Sequence, residues 1–194
     1  LGSGFESRGL FAAVSETREI ASAKVFSPTE ANRARFAADF GIEAAVSAEE
    51  AVNGADLVLC AARSYDETPI LKGRWLLPNA VVVSVGSTLL EQREVDSATL
   101  ARAALVVADM PEEVLHETGD AHAALAEGVD LAGKLVPLGD LASGRIARPK
   151  NGITVYKSVG SALQDIVIAE MILDRASAAG RFFEMPESIH TIIK

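Results

Sequence analysis

Two glycines one residue apart, Gly2-Ser3-Gly4, lead into the apolar, helix-patterned run Gly9-Leu10-Phe11-Ala12-Ala13-Val14. A turn of this kind feeding a helix leaves backbone N–H groups and the positive end of the helix dipole facing outward, and together these receive a pyrophosphate. The first glycine permits the tight turn; the second removes a Cβ that would collide with phosphate oxygens. Ser7 stands where a third glycine would ease the packing of helix on sheet, and it is small enough to serve. Gly2, Ser3, Gly4, Phe5, Glu6 and Ser7 therefore form a candidate nucleotide cradle. Alone, the pattern equally describes an ordinary strand-to-helix turn. The β-rich run over 20–26 ends at Ser27, roughly twenty residues after Gly4, where a dinucleotide fold places the residue that reads the adenosine ribose.

Beyond Ser27, apolar runs alternate with helical patterns. Thr29 can cap a helix running to about Phe40, which Gly41 ends. A strand over 43–46 leads to Ser47, whose hydroxyl can cap a helix over 48–53, with Glu50 completing a capping box. The buried strand Leu57–Cys60 carries small residues at its carboxyl end, where a flat cofactor or substrate can lie close. Cys60, Ala61 and Ala62 thus enter the candidate site. Residues 65–73 read as a loop.

The β-branched run over 80–85 is typical of a parallel strand buried on both faces, and Val85-Gly86-Ser87-Thr88 lies at its carboxyl end. A further strand over 104–108 stops at Asp109, and helical stretches follow at Pro111–Glu117 and 121–127, separated by Gly119-Asp120. From Gly128 the chain is irregular until a last strand begins at Ile153 and ends in Lys157-Ser158-Val159-Gly160. An apolar-faced helix, Ala162–Ala178, packs that strand down. The alternation implies an α/β fold, a Rossmann-like, doubly wound and mainly parallel sheet.

A strand should precede the glycine turn in such a fold, and Leu1 can only be its last residue. That strand is central in the usual 3-2-1-4-5-6 order, and without it two neighbours would expose backbone edges in mid-sheet. The expectation is that this chain lacks its first strand and belongs to a longer protein with an upstream domain.

At 194 residues and 49% hydrophobic content, the chain can bury one substantial core. No apolar run approaches the roughly twenty residues needed to span a bilayer, and no signal peptide is visible. A formal charge of -9 repels nucleic-acid backbones while leaving room for a local anion site at a helix N-terminus. The single Cys60 forms no internal disulfide and is compatible with a reducing cytoplasm, the expected compartment. His116, His122 and His190 show no metal-ligand spacing, so no metal is expected.

Taken together, the blocks Gly2-Ser3-Gly4-Phe5-Glu6-Ser7-Arg8, Val25-Phe26-Ser27-Pro28-Thr29, the stretch over 85–96 that begins Val85-Gly86-Ser87-Thr88, and the stretch over 153–165 around Tyr156-Lys157-Ser158-Val159-Gly160 resemble the ornithine cyclodeaminase/mu-crystallin family. The resemblance runs from the glycine turn to about Gly180, and its last two blocks are the most specific. It implies a two-domain subunit. Residues 1–180 would be the NAD(P)-binding domain, and 181–194 a tail packing on an N-terminal domain that builds the dimer and much of the substrate pocket. Family members move hydride between the cofactor and the α-carbon of an amino or imino acid, as cyclodeaminases, amino-acid dehydrogenases or ketimine reductases. A lysine and arginines of the N-terminal domain hold the substrate carboxylate in the family, and none can be assigned here.

By the same resemblance, Thr88 falls where cyclodeaminases and their alanine-dehydrogenase relatives carry an acid/base Asp. A threonine hydroxyl cannot act as a carboxylate base near neutral pH, which favours an imine reductase over a cyclodeaminase that turns ornithine into proline and ammonia. A non-catalytic, NADP-dependent ligand binder and an unrelated dehydrogenase sharing only the fold are the other readings. Ser27 lacks the carboxylate that would repel a 2′-phosphate, and Thr29 and Arg33 could donate to one, so NADP(H) is expected ahead of NAD(H). Arg33 reads equally as a solvated helix residue. Gly86-Ser87-Thr88 is either a ledge beneath the nicotinamide or an ordinary strand-to-loop turn. Lys157 either touches cofactor or substrate or is solvated. Arg8 lies near the pyrophosphate or packs outward, Glu94 is an acidic neighbour of the ledge, and Asp96 is a helix cap or another such neighbour. Asp109 either belongs to the site or bonds loop amides as strand-ending aspartates commonly do, and Asp120, like Glu117 and Asp165, could be a polar site residue, though Asp165 reads better as a structural hydrogen-bonding partner. The implied partners are a small amino or imino acid and a second copy of the subunit.

Overall fold

Continuous β-branched runs become buried parallel strands in the computed structural model, which describes residues 1–181 and Phe183. Strands β3 (Leu57–Cys60), β4 (Val81–Ser84), β5 (Ala103–Ala108), β6 (Leu135–Pro137) and β7 (Ile153–Lys157) form one sheet in the order β3-β4-β7-β5-β6. All of its pairings are parallel. Val82, Val106 and Val155 are buried in it, as expected for strands covered on both faces. The last strand therefore inserts between β4 and β5, a departure from the sequential 3-2-1-4-5-6 order. The architecture is the expected doubly wound α/β fold.

Strands β1 (Lys24–Val25) and β2 (Glu43–Ala44) form a separate two-stranded parallel sheet. Both are shorter than the runs over 20–26 and 43–46 suggested. Ala21 and Ser22 are exposed ahead of β1. Helices α1 (Phe5–Thr17) and α2 (Glu30–Phe40) cover this sheet through Phe11, Phe36 and Phe40, whose rings meet at centroid distances of 4.7–6.0 Å. Leu1 and Gly2 bond toward both sheets. The Leu1 amine donates to Leu59 O at 2.5 Å, its carbonyl accepts from Ala61 N at 3.0 Å, and Gly2 N–H donates to Phe26 O at 2.9 Å.

Capping chemistry fixes several boundaries. Ser47 accepts from Glu50 N–H at the start of α3 (Ala48–Val52), and the Glu50 carboxylate reaches back to Val46 N–H, one residue before the cap. Asp96 caps α4 (Ser97–Arg102) by accepting from Thr99 N–H at 2.8 Å, so its capping reading holds. Thr29 occupies the cap of α2 without making a side-chain capping bond, contrary to expectation. Helix α5 (Pro111–Glu117) has the expected bounds, but Gly119-Asp120 is no break: it is the first turn of α6 (Gly119–Ala126), capped by Thr118. The stretch read as irregular after Gly128 contains β6 and α7 (Leu138–Ala142).

The chain divides into two compact units, Leu1–Val159 and Gly160–Lys194. In the second, α8 (Ala162–Ala178) has the expected bounds and is capped by Ser161, which accepts from Gln164 N–H. It buries none of its residues. The tail over 181–194 lies outside the described residues apart from Arg181 and Phe183. No described helix is long and apolar enough to cross a membrane, and no described cluster of His, Cys, Asp and Glu could hold a metal.

Candidate functional site

Because β3, β4, β5 and β7 run parallel, their carboxyl ends share one edge, and the residues that follow them gather there: Ala61-Ala62, Val85 to Thr88, Asp109 and Ser158-Val159. Ala61, Ala62, Val85, Thr88, Ser158 and Val159 are half-buried, while Gly86 and Ser87 are buried. Gly160 opens the second unit with φ +80°.

The glycine turn joins this edge through backbone bonds. Gly2 has φ +101°, and a Cβ there would lie 2.7 Å from both Ala61 O and Ser7 Oγ. Gly4 is the cap residue of α1 and supplies no side-chain acceptor to its first N–H groups. Ser3 is half-buried, and Phe5 and Glu6 are exposed. Ser7 Oγ is buried without a hydrogen-bond partner, and no side chain caps the first N–H groups of α1. Arg8 is turned away, ion-paired with Asp39 at 2.7 Å and stacked over Phe36 and Phe40.

At the tip of β1, Ser27 is 6% exposed and Thr29 is exposed. Arg33 is not a free surface residue. Its Nη1 donates to Ser27 O at 3.2 Å and Pro28 O at 3.4 Å, and its guanidinium lies 5.9 Å from the Phe26 ring centroid. The cation is thereby held beside Ser27.

Beneath the ledge lies a buried polar network. Sheet register aligns Cys60, Ser84 and Lys157 in one row across β3, β4 and β7, with Ala108 opposite Lys157 on β5. Lys157 Nζ donates to Ser84 Oγ at 3.0 Å, Ser87 O at 2.8 Å and Asp120 Oδ2 at 2.9 Å. With 1% exposure, the Lys157 ammonium is not solvated, and that expectation is corrected. Glu94 accepts from Ala62 N–H at 2.8 Å, Gly86 N–H at 2.9 Å and Ser84 Oγ–H at 2.6 Å. Burial pushes the Glu94 carboxyl above the ordinary carboxylate range, opposed by Lys157 and these donors. Asp120 Oδ1 accepts from Glu94 N–H at 2.9 Å and Val95 N–H at 3.2 Å and faces Arg93 Nε at 3.4 Å.

Cys60 is fully buried, and burial pushes its thiol far up, so only its backbone is available to a ligand. Thr88 is tied to Gln92: its N–H donates to Gln92 Oε1 at 2.9 Å, and its Oγ1 stands 3.4 Å from the same atom. Ser87 Oγ donates to Gln92 O at 2.8 Å. Asp109 accepts from Ser158 Oγ at 2.6 Å and Val159 N–H at 3.2 Å, the loop-amide role expected of a strand-ending aspartate. Sequence reasoning missed Gln92 and Ser84. A hydroxyl closing an otherwise apolar strand was the available signal for Ser84; Gln92 had none.

The model of the Ornithine cyclodeaminase/mu-crystallin family matches residues 1–180. The chain is 30% identical over 180 residues to the ketimine reductase mu-crystallin of Rattus norvegicus, covering 92% of this chain and 55% of that protein. With a Delta(1)-pyrroline-2-carboxylate reductase of Bacillus cereus it shares 31% identity over 189 residues, covering 93% and 57%. Among solved structures, the Thermococcus litoralis Delta(1)-pyrroline-2-carboxylate reductase in complex with NADH and L-proline superposes with a TM-score of 0.82 at 31% identity, covering 92% of this chain and 57% of that one. The chain thus spans little more than half the length of the relatives it matches. The chain belongs to the ornithine cyclodeaminase/mu-crystallin family.

Proposed function

We propose that this chain is the dinucleotide-binding part of a longer subunit that reduces the C=N bond of a cyclic imino acid, as a ketimine or pyrroline-2-carboxylate reductase does. A nicotinamide dinucleotide suits the residues present. The amides opening α1 and the unpartnered Ser7 hydroxyl would hold its pyrophosphate, and Gly2 keeps the turn free of a Cβ. Val85-Gly86-Ser87 would support its ring, beside Ala61 and Ala62. When bound, the group supplies a hydride.

The chain's own part is orientation and exclusion. Bringing two carbons into line accounts for much of the acceleration of such a transfer, and a backbone ledge held from below gives that alignment. The observation that carries the reductase reading is Thr88, whose amide and hydroxyl face Gln92 where a cyclodeaminase of this family has a carboxylate. A protonated imine accepts hydride at carbon and becomes an amine without a base. Oxidising an amino acid requires a proton to be removed.

NADP(H) is the preferred cofactor, because the tip of β1 offers Arg33 beside Ser27, a hydroxyl where an NAD-selective site would carry a carboxylate. Dimerisation would run through the part of the subunit upstream of this chain, which would also hold the substrate carboxylate. A reducing compartment such as the cytoplasm suits the single buried thiol.

The test is NADPH oxidation by the full-length subunit with Δ1-pyrroline-2-carboxylate, alongside titrations of NADPH and NADH. Proline formation and tighter binding of NADPH are expected. Tight NADPH binding without turnover of cyclic imines would replace the reductase by a ligand-binding protein, and the absence of binding by either nucleotide would end both readings.

A further inference from the structure

The geometry points to Lys157, Glu94 and Asp120 as positioning residues: a buried charged clamp that fixes the ledge Gly86-Ser87-Thr88 against the end of β3 and so sets where a dinucleotide ring can lie. The inference rests on the dinucleotide reading above and deepens it.

Burying ions is expensive, and apolar residues of similar volume often stabilise a fold as well or better. Lys157, Glu94 and Asp120 are nevertheless each within 1% of full burial. Their bonds are not spread through the core. They converge on the carboxyl edge: Lys157 takes the Ser87 carbonyl, and Glu94 takes the amides of Ala62 and Gly86, one from each side of the cleft between β3 and β4. One carboxylate therefore sets the spacing of two loops.

Gly86 lets this happen, since a Cβ there would overlap Ala62 O and Glu94 Oε1. Asp120 closes the assembly by holding Lys157 and the Glu94 and Val95 amides together. A second press acts further along the loop, where Gly119 approaches Leu90 O and Gln92 O too closely for any side chain and Gln92 holds Thr88. Ser84 is the link, accepting from Lys157 and donating to Glu94. The clamp never enters the cleft. It acts on the ring through backbone that it holds rigid.

In the full-length protein, Ser84→Ala removes the link with little change in volume, and Lys157→Met removes the charge. The dissociation constant for NADPH is expected to stay within about twofold, because the glycine turn and Ser27 are untouched, while kcat for imine reduction falls about tenfold or more in Lys157→Met and several-fold in Ser84→Ala. In the dinucleotide-free protein, amide exchange should quicken at Ala62, Gly86 and Ser87 and stay unchanged in α1. Unchanged kcat, NADPH affinity lost in step with kcat, or exchange accelerated throughout the chain would each overturn the clamp and leave these residues as fold determinants. Should Lys157→Met fail to fold, Ser84→Ala decides. If the parent reduces no imine, the functional reading fails, and the exchange rates still decide the clamp.

Discussion

The two sheets face the candidate cleft with opposite constructions. At the carboxyl edge of the five-stranded sheet, ledge amides, a ledge carbonyl and nearby hydroxyls already have partners, most of them in a buried ionic network. Beside the two-stranded sheet, the glycine turn leaves Ser7 Oγ buried and unpartnered and the first amides of α1 without a side-chain cap. On the proposed reading the ledge is finished before a ligand arrives, whereas the phosphate side is left for the ligand to finish. A hydride donor must be aligned, which a rigid platform provides; an anion needs free donors in its seat.

The sharpest way to break the contrast is to cut the ionic side. Asp120→Ala strands the Lys157 ammonium in the core and orphans the amides of Glu94 and Val95, for a loss of about 3–5 kcal/mol of stability. Urea unfolding monitored by Trp75 fluorescence reads it. A loss below about 1 kcal/mol would mean that water reaches the network and that the ledge is no more finished than the turn.

On the other side the balance should reverse. Gly2→Ala forces a side chain into φ +101° with its Cβ 2.7 Å from Ala61 O, costing about 1–2 kcal/mol of stability. Affinity for NADPH, measured by calorimetry, should fall about tenfold or more, because the turn that aims the donors is displaced. Equal NADPH affinity in parent and variant would remove the turn from the site.

The same contrast explains what was legible in the sequence. The glycine turn, Ser27 and β3 are local features. Leu57-Val58-Leu59-Cys60 is a continuous apolar run with Asp56 before it and alanines after it, and its strand begins and ends as read. The clamp is not local. Nothing in Tyr156-Lys157-Ser158 shows that the ammonium is met by a hydroxyl 73 residues away, a meeting fixed by the insertion of β7 beside β4. That insertion is a matter of strand order, which periodicity does not encode. Strand β6 was missed for a different reason: Leu135-Val136-Pro137 is too short to show alternation and ends in a residue that breaks ladders.

The smallest effect concerns Cys60, the thiol-bearing member of the buried row. Desolvation, with the nearby Glu94 adding to it, pushes the thiol well above its ordinary value of 9.0. In the folded protein it stays protonated through mildly alkaline pH, whereas in the unfolded chain it ionises. The sign follows from that difference: the stability tied to this thiol is fully present below 9.0 and declines as pH rises past it. A disulfide reagent at pH 8 should therefore label Cys60 only as fast as the chain unfolds, and Asp120→Ala should accelerate labelling while Gly2→Ala changes it less. Rapid labelling of the native parent would show that the floor under the ledge opens locally, and the rigid side of the comparison would then be no more rigid than the other.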